Sequence, residues 1–148
     1  MTKFYLAAAL KTDRLRERNL RIAKLIRDNW RGGPQMGSRT LVYLPQEFLV
    51  LAPDATAEQR SEVFKSNCDT MDRSDTMIAI MDEKDSGVTF EVGYGYHAGK
   101  RIIGVYLNPL SSVNVMLSES WYATCTSEQA FRAWLHNPHP IKYEGDTK

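Results

Sequence analysis

Asp85 and Glu91 are the acids in this chain whose setting can do chemistry. They bracket Ser86, Gly87, Val88, Thr89 and Phe90 in a stretch that reads strand, acidic loop, helix, glycine, strand. The first strand, 77–81, is short, apolar and partly β-branched, as a buried parallel strand should be. The helix opens after Asp85-Ser86-Gly87, which predicts Glu91 in or near its first turn. Gly99 is the expected stop, and 101–106 is the next strand. Open α/β sheets bind ligands beyond the C-terminal ends of their strands, so Asp85, Gly87 and Glu91 fall on the lip of such a site. Aromatic Phe90, Tyr94 and Tyr96 lie nearby. A carboxylate at a helix N-terminus is expected to stay ionised near neutrality, which suits a nucleophile toward an oxocarbenium-like carbon. A lone acid there is more often a surface residue that complements the helix dipole; the cluster after a central strand favours chemistry.

Other motifs carry less. The run Gly93-Tyr94-Gly95-Tyr96-His97-Ala98-Gly99-Lys100 lacks the phosphate-loop spacing, and Arg101 stands where Ser or Thr would be needed. Its glycines lie inside a helix, so it is no dinucleotide fingerprint either, and close helix packing explains them better. His97, His136 and His139 do not pair with cysteines or acids at metal spacing, and His97 reads as a packed helix residue. Ser86, Ser111 and Ser112 lie in no nucleophile elbow, and turn or cap roles account for them.

The elements that must position the acids alternate along the chain. Residues 3–8 read as a central first strand. Residues 13–30 form a helix capped by Thr12 or Asp13, with Leu15, Ile22, Leu25, Ile26 and Trp30 at helical spacing and Arg31-Gly32-Gly33-Pro34 ending it. A strand over 40–44, a loop over 46–56 and a helix opened by the capping box Thr56-Ala57-Glu58-Gln59 follow. That helix runs to about Arg73 with the apolar line Val63, Phe64, Cys68 and Met71. After the acidic loop, its helix and the strand over 101–106, residues 113–117 start a short helix. Residues 127–135 form an amphipathic one, and the tail from His136 is extended. The order β-α-β-α-β-α-β-α predicts a parallel sheet wound on both faces, with flavodoxin-like strand order.

At 148 residues, 43% apolar and 25% charged, the chain has the length and make-up of one soluble domain, 1–148, able to bury a core without disulfides. The net charge is +1, and Arg14, Arg16, Arg18 and Arg21 alternate with Glu17 and apolar positions. They read as a solvated helix face, so neither a nucleic-acid nor a membrane partner is expected. Cys68 and Cys125 are far apart and read as structural thiols in a reducing compartment. No apolar run approaches the ~18 residues of a membrane span, and residues 4–10 read as a strand rather than a signal core. A cytoplasmic location is expected.

With the residues in place, a resemblance emerges. The run 85–93, Asp-Ser-Gly-Val-Thr-Phe-Glu-Val-Gly, followed by Gly99-Lys100-Arg101-Ile102, resembles the signature of the nucleoside 2-deoxyribosyltransferases. Lys3-Phe4-Tyr5-Leu6-Ala7 is similar to that family's first strand. The stretch from Val63-Phe64-Lys65 to Asp75 is similar to its helix before the signature strand, and Val113-Asn114-Val115-Met116 to its Ile-Asn-Leu-Met segment. Even Tyr143-Glu144-Gly145 is similar to the end of one branch.

The resemblance implies a flavodoxin-like fold, a homo-oligomer with sites completed across an interface, and no metal or organic cofactor. It makes Glu91 the nucleophile, Tyr5 the tyrosine that orients it, Asp85 the acid that binds sugar hydroxyls, and Asn114 a residue given to a neighbouring subunit's site to bind the 5′-hydroxyl. Gly87 belongs to the same lip, and Gln46 lies near where the family reads the base. Substrates would be a 2′-deoxynucleoside and a free nucleobase. Sister deoxynucleoside 5′-monophosphate N-hydrolases tend to carry serines at the positions of Asp85 and Asn114. A carboxylate repels a 5′-phosphate, so this chain's pattern favours a free 5′-hydroxyl. One departure stands out: Asn67 occupies the place of a base-contacting aspartate, and an amide cannot deliver a proton as an acid does. An N-hydrolase and a non-catalytic nucleoside- or nucleotide-binding module remain alternatives to the transferase.

Overall fold

The structure is a computed structural model and describes residues 1–32 and 39–148. Gly33 and Pro34 of the expected helix stop lie outside the described residues. The elements are β1 (Thr2–Ala7), α1 (Asp13–Asn29), β2 (Thr40–Tyr43), α2 (Pro45–Phe48), α3 (Ala57–Asp72), β3 (Thr76–Ile80), α4 (Ser86–His97), β4 (Arg101–Val105), α5 (Val115–Ser118), β5 (Ala123–Cys125) and α6 (Glu128–His136).

Five parallel strands form one sheet in the order β2-β1-β3-β4-β5. This is the flavodoxin-like order, with its switch point between β1 and β3. Side chains alternate across the sheet and divide the core. Phe4, Leu6, Ile78, Ile80, Ile103 and Val105 face α1 and α6, where Ile22, Ile26, Phe131 and Trp134 are buried against them. Tyr5, Ala7, Met77, Ala79 and Ile102 face the other layer, where Met71 of α3 and Val88 and Val92 of α4 close over them. Two faces covered by helices explain why all five residues of β3 are buried.

Local signals formed the helices where the side chains allow it. Thr12 caps α1 by accepting from the Leu15 N–H. Thr56 and Gln59 make the reciprocal capping box of α3. Gly99, with φ of +72°, follows the end of α4 in a conformation that costs glycine little.

Four expectations are corrected. A fifth strand exists: β5 is three residues long, too short to carry a readable alternation. The expected loop from Gln46 begins inside a one-turn helix, α2, with Pro45 preorganised at its start. Phe64, counted as apolar line, is 57% exposed and meets exposed Phe90 at 5.9 Å between ring centroids. His97 is exposed on the last turn of α4 and not packed.

Candidate active site

Tyr5 and Glu91 meet above the middle of the sheet. Tyr5 is on β1, wholly buried, and faces the α3–α4 layer. Glu91 reaches it from α4. Val88, Glu91, Val92 and Gly95 fall at i, i+3, i+4 and i+7 along that helix, the spacing of a core-facing stripe. Val88, Val92 and Gly95 are buried, so Glu91 is carried inward with them. The Tyr5 hydroxyl and Glu91 Oε2 are both inaccessible, and neither has a hydrogen-bond partner of ordinary geometry among the described residues. Each is the polar neighbour that perturbs the other.

Glu91 lies near the first turn, as expected, but the reason given for its charge does not hold. The helix begins at Ser86 with Asp85 as its cap, so Glu91 lies in the second turn. Burial pushes its carboxyl up to about 7; the nearby Tyr5 hydroxyl pulls it down, and the Asp85 charge pushes it up. The dipole near the helix start does not hold it in the ordinary carboxylate range, because its effect fades within the first turn. Burial, with the Glu91 charge beside it, also drives the Tyr5 phenol far above its ordinary value, so Tyr5 stays a neutral donor.

The other proposed site residues divide into three groups. Asp85 stands at the head of α4, where Oδ1 accepts from the Val88 N–H at 3.1 Å. Gly87 keeps that edge open, since a Cβ there would come within 3.0 Å of Asp85 Oδ1. Asn67, on α3, accepts a hydrogen bond from the Tyr43 hydroxyl at 3.3 Å. It borders a cavity of ≈ 440 Å³ beyond the ends of β1 and β2. Gln46 is engaged at both ends of its amide: Oε1 accepts from Asn19 and Nε2 donates to the Arg16 carbonyl. Asn114 caps α5 by accepting from the Met116 N–H at 2.9 Å, and makes no hydrogen bond to Tyr5, Asp85 or Glu91. It stands beside an apolar rim in which Tyr96, Val115 and Met116 are exposed. Among the described residues no cluster of three or more His, Cys, Asp or Glu could hold a metal ion, and no helix is long and apolar enough to cross a membrane.

The sequence profile of the nucleoside 2-deoxyribosyltransferases matches residues 4–121, a span that contains Tyr5, Asn67, Asp85, Glu91 and Asn114. The chain belongs to that family. It is a transferase of the deoxyribosyl-transferring type. A solved 2-deoxyribosyltransferase from the psychrotolerant bacterium Bacillus psychrosaccharolyticus has a similar fold, with a TM-score of 0.73 and 22% identity over 97% of this chain and 99% of that one. A conserved protein from Enterococcus faecalis V583 is similar at a TM-score of 0.58 and 18% identity, over 100% of this chain and 91% of that one. No curated protein matches the sequence.

Three residues around this candidate site were not singled out as site residues in the sequence. Tyr43 ends β2, pairs in register with Tyr5, and stacks on its ring with centroids 5.5 Å apart. The signal was there: Phe4-Tyr5-Leu6 and Val42-Tyr43-Leu44 repeat one apolar-Tyr-Leu pattern in adjacent strands. Asp82 accepts from the Leu107 and Asn108 N–H groups, each at 2.9 Å, and so ties the loop after β3 to the loop after β4. Cys68 is half-buried beside the site. Burial raises its thiol above the ordinary value, with Asp72, Asp69 and Glu91 adding to the rise. No sequence motif marks either of these two.

Proposed function

We propose that this chain moves the 2-deoxyribosyl group between nucleobases by double displacement. The Glu91 carboxylate attacks C1′ of a 2′-deoxynucleoside. The C1′–N bond breaks with its electron pair going to the base, and a glutamyl-deoxyribosyl ester forms. A second base then attacks C1′ from the side the first one left. The ester bond breaks back to the carboxylate, and configuration is retained overall. Tyr5 orients the carboxylate by hydrogen bonding. The free edge of Asp85 receives sugar hydroxyls, with Gly87 leaving room. Asn114 serves a neighbouring subunit's 5′-hydroxyl site, which makes the working form a homo-oligomer. None of these steps calls for a metal or organic cofactor.

The observation that carries this reading is the buried Glu91–Tyr5 pair at the C-terminal half of the sheet, on a core-facing helix stripe that apolar residues would ordinarily fill. The decisive experiment incubates the protein with a deoxynucleoside and a different free base and follows new nucleoside against free deoxyribose. New nucleoside is expected, with nearly complete loss in Glu91→Ala and a covalent adduct on Glu91 from a slow 2-fluoro-substituted nucleoside. Free deoxyribose alone would make the chain an N-hydrolase, and an unimpaired Glu91→Ala would sink the mechanism. Asp85 and Asn114 further imply that deoxynucleosides outperform their 5′-monophosphates.

A further inference from the structure

Between the loops that follow β1 and β2 and the helix α3 lies a cavity of ≈ 440 Å³, within the size range of small-ligand pockets. Its walls are apolar, built by Leu10, Leu49, Leu51 and Val63 among others. Lys11 and Asn67 are the polar side chains that line it among the described residues. An ammonium group only donates. An amide can donate or accept, and which it does depends on the way it is turned. Here the turn is set from behind: the Tyr43 hydroxyl donates to Asn67 Oδ1 at 3.3 Å, which draws the carbonyl toward Tyr43 and turns Nδ2 away from it. Tyr43 itself is held by the parallel pairing of β2 with β1 and by its stack on Tyr5, with an interplanar angle of 26°.

We propose that Tyr43 is a positioning residue that fixes the Asn67 amide with its N–H groups toward the cavity, so that the site reads bases through a ring acceptor. This deepens the transferase reading and rests on it for the identity of the ligand as a nucleobase. A planar base fits the apolar walls. A ring nitrogen such as those of adenine, or N3 of cytosine, would meet Nδ2. A base with a C–H at that position would leave an amide donor buried without a partner. The aspartate that the family signature carries at this position can share a proton with the base, whereas this arrangement can only donate a hydrogen bond to it.

The test measures binding of free bases by calorimetry, a readout independent of turnover. Adenine is compared with its 1-, 3- and 7-deaza analogues, and cytosine with 3-deazacytosine, in the wild type, Tyr43→Phe, Asn67→Ala and the double variant. Tyr43→Phe keeps the ring stack and removes only the hydroxyl. In the wild type one analogue should bind about tenfold more weakly than its parent, the scale of a single hydrogen bond left unmade. Tyr43→Phe should shrink that ratio to about threefold or less, and should add nothing once Asn67 is alanine. Equal binding of every analogue, a uniform loss for all bases in Tyr43→Phe, or no binding of either parent base would overturn the proposal. Transfer assayed separately on the wild type tells such a failure apart from failure of the transferase reading.

Discussion

Glu91 shares its helix face with Val88, Val92 and Gly95, and its acidity follows from that neighbourhood. With the carboxyl raised to about 7, the ionised form grows as pH rises through neutrality. A nucleophile must be ionised, so kcat/KM should climb with pH and level off above about 7. Tyr5 holds that value down, so Tyr5→Phe should move the rising limb to higher pH as well as lower the plateau. A flat profile from pH 5 to 8 would show that Glu91 is not the titrating nucleophile. The same shift bears on stability. The unfolded chain ionises near the ordinary 4.5 and the folded one near 7, so the folded state binds the extra proton between these values. Stability therefore falls as pH rises through that window and stays reduced above it. Glu91→Gln should raise unfolding free energy at pH 8 by roughly 1–2 kcal/mol after allowing for solvent screening, and change little at pH 4, as denaturant titration would report. The two acids were legible in the sequence because an acidic loop after an apolar strand marks a sheet edge. The depth of Glu91 was hidden because the start of α4 was read after Gly87 rather than at Ser86, although the i, i+3, i+4, i+7 stripe was present.

Within α4, two glycines two positions apart do different work. A Cβ at Gly95 would overlap Met77 Sδ on β3, whereas one at Gly93 meets nothing within 4 Å. Gly95 thus lets the helix lie close on the sheet, and Gly93 only lowers helix propensity. We expect Gly95→Ala to cost about 1–3 kcal/mol through overpacking. Gly93→Ala should be neutral or stabilising by roughly 0.5–1 kcal/mol. Thermal unfolding of both variants distinguishes them, and equal losses would refute the packing account. Because α4 carries Glu91, Gly95→Ala should also depress turnover, as a helix lifted from the sheet withdraws the carboxylate from Tyr5. At this scale most of the fold could be read: caps at Thr12 and Thr56, the glycine stop and the apolar periodicity are local and survive folding unchanged. What could not be read were α2 and β5, elements of four and three residues that exist because the sheet edge and the loop packing hold them. The pairing of Tyr43 with Tyr5 is likewise a fact of register, since the two lie 38 positions apart and meet only when β2 docks beside β1.

Asn114 caps α5 beyond β4, Glu91 lies inside α4, and no hydrogen bond joins them within the chain. The exposed Tyr96, Val115 and Met116 give a second copy an apolar surface to cover. If the site is shared, mixing inactive Glu91→Ala with inactive Asn114→Ala should restore part of the activity, and light scattering should find a dimer or an assembly of dimers. A fully active monomer would refute sharing. The segment that presents Asn114 is itself pinned by residues 146–148. The Val113 N–H donates to the Asp146 carbonyl, the Lys148 N–H to the Val113 carbonyl, and the Val115 N–H to the Lys148 carbonyl. Removing residues 146–148 by truncation would therefore loosen the residues on either side of Asn114 before it disturbed any strand. A variant truncated after Gly145 should lose activity while the circular dichroism of the sheet holds steady, so that three backbone contacts far along the chain would act as the latch of the residue they flank.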